Sequence, residues 1–288
     1  MKRASMPLQL TPDNCRLFGE GLDHPECVAI GPDGTIYAGG EAGQIYRIDT
    51  DGTFREIGST GGFILGIAVD GQGSIHCCDC GQAAVYRVDS DGAVHQRSVG
   101  AQDRPFRVPN YGVFDPEGNL FVSDSGDYWH RPGTGYLLKI APNDSTSVFH
   151  RGPFLFANGL AIDPSGQWLY VVQSTAPNVV RVPLDQPDGP LEVTHTLPSG
   201  TVPDGLAFAA DGRLVIACYK PDAVFVGATD GSIELLCDDP TGELLSRPTN
   251  VAIGQGVLYL ANIGGWHLTV IETDLTPAPL YYPHVRKR

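Results

Sequence analysis

Short apolar runs broken by tight turns recur along the whole chain. The clearest is residues 201–219, TVPDGLAFAADGRLVIACY. It has Pro-Asp-Gly, an apolar run, Asp211-Gly212 and a second apolar run ending at Cys218. The same pattern returns as HPECVAIGPDGTIYAGG, ILGIAVDGQGSIHCCDC, VPNYGVFDPEGNLFVSD, FANGLAIDPSGQWLYVVQ and RPTNVAIGQGVLYLANI, making six copies. Asp-Gly or a similar pair between two apolar runs signals an antiparallel hairpin. No apolar stripe of helical period accompanies the copies, so almost no helix is expected.

A third strand follows each hairpin, as in Ile45-Tyr46-Arg47-Ile48 and Val85-Tyr86-Arg87-Val88. A fourth, more polar one ends most copies, as in Thr53-Phe54-Arg55-Glu56-Ile57. Polarity that rises from first strand to fourth fits an inner strand near an axis and an outer strand facing water. The repeats therefore predict an all-β fold, a six-bladed β-propeller of four-stranded antiparallel blades, as one domain over residues 1–288. Residues 1–13 and 285–288 are expected to be flexible tails. A pair of β-sandwiches is disfavoured, because neither half has a sequence character of its own and no linker divides them. The last copy lacks an outer strand. Cys15-Arg16-Leu17-Phe18 and Pro279-Leu280-Tyr281-Tyr282 are the two candidates. The N-terminal one is preferred, because joining both chain ends in one blade locks the ring.

Composition narrows the function. A net charge of −14, with basic clusters only at Lys2-Arg3 and Arg286-Lys287-Arg288, argues against a nucleic-acid partner. No apolar run is long enough for a signal peptide or a membrane span, so no membrane partner is expected. Seven irregularly spaced cysteines favour reduced thiols in the cytoplasm over a disulfide framework. The expected partner is a small-molecule substrate, and the expected state a monomer or weak homodimer.

Aligning the copies brings chemistry into one place. The residues two positions before each small-apolar step are Glu26, Leu65, Asn110, Asn158, Asp204 and Thr249. Equivalent positions on innermost strands surround the axis. The second strands return to the same mouth with Gly40, Asp79, Asp124, Gln173, Cys218 and Asn262. Asn-Gly and Asp-Gly are also turn formers, but turn chemistry would not place Glu26 at this position. Converging oxygen donors with two carboxylates suit one hard divalent cation, Ca²⁺ first, with Mn²⁺, Mg²⁺ or Zn²⁺ as alternatives. The inner ring holds no thiol or imidazole, so a Cys/His zinc site is not indicated. Cys77-Cys78-Asp79-Cys80 is not a chelator either, since strand neighbours face opposite sides.

The segments PNYGVFDPEGNLFVSDSG, ANGLAIDPSGQWLYVVQS, VPDGLAFAADG and RPTNVAIG resemble the regucalcin/gluconolactonase family of six-bladed propellers. The resemblance covers nearly the whole chain. It implies metal-dependent hydrolysis of sugar or related lactones, with metal ligands at Glu26, Asn158 and Asp204. It also implies a metal- and substrate-proximal Asn110. In the family's R-x-N-D-G segment, Val108 stands here for Arg and Tyr111 for Asp, with Arg107 one residue away. On this basis the cation acts as Lewis acid on the lactone carbonyl. Asp204 is the first candidate base; Asp124 or Asp79 could serve instead, because a metal-bound carboxylate is a poor base.

The loop at residues 125–135, SGDYWHRPGTG, and IGGWH at 263–267 should overhang the mouth. Tyr128, Trp129, His130 and Trp266 could form a substrate wall, and His267 a catalytic or substrate contact. A non-catalytic ligand-binding propeller with a structural metal, and a metal-independent strictosidine-synthase-like enzyme, are the competing functions. Tyr111, Val108, Trp129 and Trp266 replace charge with apolar surface. This predicts a higher kcat/KM for aliphatic or aromatic lactones than for gluconolactone, with Tyr111→Asp shifting the ratio back toward the sugar.

Overall fold

The computed structural model describes residues 7–285. The basic clusters at the chain ends, and the outer parts of the two expected tails, lie outside the described residues. Six four-stranded antiparallel sheets are arranged as blades, and among the described residues there is no helix. From axis to rim, the first blade is Cys27–Ile30, Ile36–Gly39, Gln44–Ile48 and Phe54–Ser59. The innermost strands of the others are Ile64–Val69, Pro109–Phe114, Ala157–Ile162, Val202–Phe208 and Pro248–Ile253. These six touch in sequence and close into a ring.

Each blade is apolar on both faces because both faces meet a neighbour. The buried apolar residues accordingly divide into six clusters, one at each blade–blade interface. Val28 and Ile36 meet Leu268 and Val270, for example, where the first and sixth blades join. Cys27, Cys77 and Cys78 are buried in such interfaces, and all seven cysteines are free thiols.

The ring closes as the sequence led us to expect. Cys15–Phe18 pairs antiparallel with Leu268–Glu272 and supplies the outer strand of the sixth blade. Leu8 extends this lock, its amide donating to the Leu236 carbonyl at 2.6 Å. The C-terminal segment does something the sequence did not suggest. After the last blade it turns under the propeller and runs across the end opposite Glu26. Ala278 N donates to Phe208 O (3.0 Å), the Tyr282 hydroxyl to Ile30 O (2.9 Å) and Gly71 N to Pro283 O (2.8 Å). Val285 is buried with Phe114 and Leu120. A cavity of about 110 Å³ remains between this strap and the lower halves of the inner strands, lined by Ile30, Phe114, Ile162 and Phe208 among others. The strap thus covers one end of the axis, and the ligand-type side chains gather at the other, the Glu26 end.

One polar network is buried between the second and third blades. His76 Nε2–H donates to Asp70 Oδ2 (3.1 Å), and His76 Nδ1 accepts from Arg97 Nη1 (3.1 Å). Arg97 continues to Asp144 (2.9 Å). Burial drives the His76 pKa down to about 4, and the neighbouring Arg97 charge adds to the effect against the Asp70 hydrogen bond. An unfolded histidine titrates near ~6.5. The unfolded chain therefore binds the proton first, and this stability is present above ~6.5 and lost as pH falls toward 4. Denaturant titrations should show about 2 kcal/mol less stability at pH ~5 than at pH ~7 from this group. His76→Gln should remove most of that difference; equal pH dependence in both proteins would contradict it.

Candidate metal centre at the axial mouth

Backbone geometry aims the ligand-type side chains. Register shifts interrupt the inner hairpins at Ile64/Gly66, Pro109/Gly112, Ala157/Leu160, Pro203/Leu206 and Pro248/Val251. Such bulges re-aim a side chain that a regular strand would send toward a neighbouring blade. They fall on Leu65, Asn110, Asn158, Asp204 and Thr249. The second residue of a bulge is crowded. A Cβ on Gly205 would lie 2.7 Å from Thr249 O, and one on Gly159 2.7 Å from Asp204 O. Glycine at these two places lets neighbouring inner strands approach at the level of the site.

Four of the six inner-ring positions carry a buried side-chain oxygen without a partner: Glu26 Oε2, Asn110 Oδ1, Asn158 Oδ1 and Asp204 Oδ1. The amides are oriented by serines. Asn110 Nδ2 donates to Ser125 Oγ (3.1 Å), whose own hydroxyl donates to Ala157 O (2.9 Å). Asn158 Nδ2 donates to Ser174 Oγ (3.1 Å). With each amide nitrogen engaged by a serine, both carbonyl oxygens are left without a partner. Burial raises the Glu26 carboxyl well above the ordinary range, and the Asp204 charge adds to this. Burial pushes Asp204 up to about 7, against the Asn158 hydrogen bond. Two desolvated carboxylates and two bare amide oxygens form a donor set that fits a hard divalent cation. Asn250, which the sequence reading passed over, forms the floor. Its Nδ2 donates to Glu26 O (2.9 Å), and Thr249 Oγ also donates to Glu26 O (2.6 Å).

The second ring has a different role from the one its sequence position suggested. Its oxygens are turned to the loops at the mouth, except Asp79 Oδ2, which is buried without a partner. Asp124 accepts from Arg107 N (2.7 Å), Val108 N (3.1 Å) and Gly126 N (2.8 Å). Asp79 accepts from Phe63 N and Gln82 N, Gln173 from Leu155 N, and Asn262 from Ser246 N. These residues staple the mouth loops. With both oxygens of Asp124 occupied by amides, its assignment as a base is withdrawn.

The other candidates also sort by orientation. Tyr111 points down the axis into the apolar cavity, and burial raises its hydroxyl pKa. It therefore lies below the ligand ring and not above it, and the expected effect of Tyr111→Asp on substrate choice falls with that placement. His267 is buried, its Nε2 donating to Leu244 O (3.3 Å), and so stabilises a loop. Trp129 is 78 % exposed and His130 stands outside the pit, bonded to Asp127 (2.9 Å). Arg107 also pairs with Asp127, at 3.0 Å. Trp266 lies on the rim, tilted against His24 with ring centroids 4.2 Å apart. The inward residue of the 125–135 loop is Tyr128. Its ring stacks on Phe156 of the fourth blade at 4.1 Å and 18°. Burial raises its hydroxyl pKa, and Cys80, Glu26 and Tyr219, from three other blades, add to this. Tyr128 thus overhangs the mouth.

If Asp124 is a staple, Asp124→Ala should lower unfolding free energy by about 2–4 kcal/mol, since several buried amides lose an acceptor. A variant as stable as wild type in denaturant titration would return Asp124 to the reactive groups.

The sequence profile of the SMP-30/Gluconolactonase/LRE-like region matches residues 98–261, more than half of the chain. The profile of the strictosidine synthase-like N-terminal region matches residues 14–48. The chain is 29 % identical over 235 residues to the 6-deoxy-6-sulfogluconolactonase of Pseudomonas putida, covering 74 % of this chain and 72 % of that protein. Its fold is similar to that of a gluconolactonase from Xanthomonas campestris (TM-score 0.76, 19 % identity, 95 % and 99 % coverage). It is equally similar to the calcium-binding protein regucalcin of Agrobacterium tumefaciens (TM-score 0.76, 17 % identity, 95 % and 97 % coverage). A more distant likeness is to virginiamycin B lyase of Staphylococcus aureus (TM-score 0.65, 13 % identity, 86 % and 80 % coverage). The resemblance read from the repeats and the match across the third, fourth and fifth blades and the inner strands of the sixth agree: the chain belongs to the SMP-30/gluconolactonase/LRE-like family.

Proposed function

We propose that this chain hydrolyses lactones at the axial mouth, with one divalent cation, Ca²⁺ first, held by Glu26, Asn158 and Asp204. Asn110 stands beside it as a ligand or through water. The observation that carries this reading is the set of four buried, unpartnered oxygens on converging side chains. A scaffold alone has no use for two desolvated carboxylates in one pit, because each raises the other's cost of ionisation. Family membership supports lactone hydrolysis, and the relatives named above include a sulfogluconolactonase and a gluconolactonase. Seven free thiols support the cytoplasmic location expected from the sequence.

The bound cation would polarise the lactone carbonyl and offset the charge that builds on its oxygen. The remaining steps belong to the chain. The mouth admits substrate and water, and the Tyr128–Phe156 pair covers the ring while the carbonyl reaches down to Asn110 and Asn158. Asp204 takes the proton of the attacking water. It returns that proton to the ring oxygen as the acyl C–O bond breaks, giving the open hydroxy acid. Burial, which raises its pKa to about 7, suits it to hold that proton between the two steps. The apolar rim (Tyr128, Phe156, Val108 and Trp266) keeps the expectation that less polar lactones compete well with gluconolactone; Tyr111 no longer contributes to that argument.

Asp204→Asn should lower lactonase kcat/KM by roughly 10³-fold or more, the range expected when a general base and a charged ligand are lost together. Glu26→Gln should weaken cation binding, read by calorimetric titration of chelator-treated protein with Ca²⁺ and Mn²⁺. Full lactonase activity in Asp204→Asn, or identical cation binding in Glu26→Gln and wild type, would overturn the assignment.

A further inference from the structure

A third ring lies directly above the ligand ring. The residues two positions before Glu26, Leu65, Asn110, Asn158, Asp204 and Thr249 are His24, Phe63, Val108, Phe156, Val202 and Arg247. Three of them, His24, Phe156 and Arg247, hold a left-handed backbone, with φ of 39°, 63° and 51°. Non-glycine residues pay for that conformation with about 1 kcal/mol or more, and it is concentrated at functional sites. Asp222 fixes it at Arg247 by accepting from the Arg247 amide at 2.5 Å. The Arg247 stem lies against Gly264, where a Cβ would stand 3.2 Å from its Cγ. Its guanidinium sits 5.7 Å from the centroid of the Tyr219 ring.

Arg247 is the guanidinium of this ring. The other rim arginine, Arg107, is neutralised by Asp127 at 3.0 Å. Among the described residues, Arg247 makes no ion pair with a carboxylate; its charge rests against Tyr219. In register, Glu26 and Asp204 stand two residues further along their inner strands than this ring, and beside His24 lie Asp23 and Glu41. An acidic mouth repels an anion unless a cation stands where the anion must sit. A guanidinium presents its donors as a planar fork that matches carboxylate, sulfonate or phosphate oxygens.

We propose that Arg247, with Tyr219 beside it, binds an anionic substituent of the substrate, so that the lactones this site favours carry a negative charge away from the reacting carbonyl. The inference rests on the lactonase reading for its chemistry but not for its binding geometry. The ring carbonyl would be directed to the ligand ring, while the fork of Arg247 takes the charged group at the rim. Arg247 is then a specificity residue: it touches the substrate and takes no part in bond breaking.

The test uses the full chain loaded with Ca²⁺ or Mn²⁺ and two matched lactones, 5-oxotetrahydrofuran-2-carboxylate and its carboxamide. Wild type should favour the carboxylate by at least tenfold in kcat/KM. Arg247→Gln should lower that ratio at least tenfold, and Arg247→Lys should retain part of it. A parallel titration by calorimetry uses the unreactive tetrahydrofuran-2-carboxylate and its carboxamide. The same preference, and the same loss in Arg247→Gln, is expected there. A binding preference lost in Arg247→Gln, with neither lactone hydrolysed by wild type, would uphold Arg247 and sink the lactonase reading. Hydrolysis of both lactones with a ratio that Arg247→Gln leaves unchanged would do the reverse. No preference in either measurement would overturn the inference.

Discussion

The burial of Glu26 and Asp204 in one pit is the constraint on which the mouth of this propeller depends. Two carboxyl groups removed from water and facing each other are unfavourable as ions, and burial and mutual repulsion raise the Glu26 pKa accordingly. The fold spends structure to keep them there. Bulges in the inner hairpins turn the side chains inward, and glycines at 159 and 205 let the strands close up behind them. Ser125 and Ser174 hold the two asparagine amides so that their oxygens join the carboxylates. Replacing any of these parts by an apolar residue would relieve a local cost. Their coexistence at equivalent positions of separate blades is what a cation would make favourable.

A second layer of polar groups serves the first without sharing its chemistry. Asp79, Asp124, Gln173 and Asn262 each accept backbone amides from the loop that leads into an inner strand. A buried amide without an acceptor costs about 1–3 kcal/mol, so these side chains fix the loops more firmly than the loops' own sequences could. The loops in turn set the level at which Phe156 and Arg247 stand at the rim. Rigidity at the rim is therefore inherited from residues that never meet the substrate.

Much of this was legible in the sequence, and the limits have physical causes. The repeat revealed the blade count, the inner strands and the ring of Glu26, Asn110, Asn158 and Asp204, because pseudo-sixfold symmetry converts sequence position into position around an axis. It did not reveal orientation. Asp124 and Asp204 are equally acidic and lie at the same end of the propeller, yet one faces loop amides and the other the pit. Register shifts decide this, and they appear only when partner strands are paired. Tyr111 was misread for the same reason: as the second residue of a bulge it points down the axis, while Asn110 points across it. In the 125–135 loop, no period distinguishes Tyr128 from Trp129 and His130, so all three were assigned to the wall, and Tyr128 is the one that turns inward. The C-terminal strap was legible only as the alternative outer strand, Pro279-Leu280-Tyr281-Tyr282, because nothing in its Pro-rich stretch, PAPLYYP, shows that it covers the underside of the ring.

That cover has a consequence for chemistry. A propeller axis open at both ends would let water reach the ligand ring from below. Here Asn250 floors the site, Tyr111 fills the space beneath it, and the strap closes the far end with Tyr281 and Tyr282. The cavity left between them is lined by aliphatic and aromatic side chains and offers water few partners. Water approaching Asp204 from below meets this apolar cover, which leaves the mouth as the polar route, the one the substrate takes. A bound ring lying under Tyr128 then governs how much water remains at the acyl carbon. Electrostatic contacts to the developing oxyanion gain strength as that water is excluded. Closing the lower end of the axis thus belongs to the design of the upper one: a pit can be dried by its own substrate, and a channel cannot.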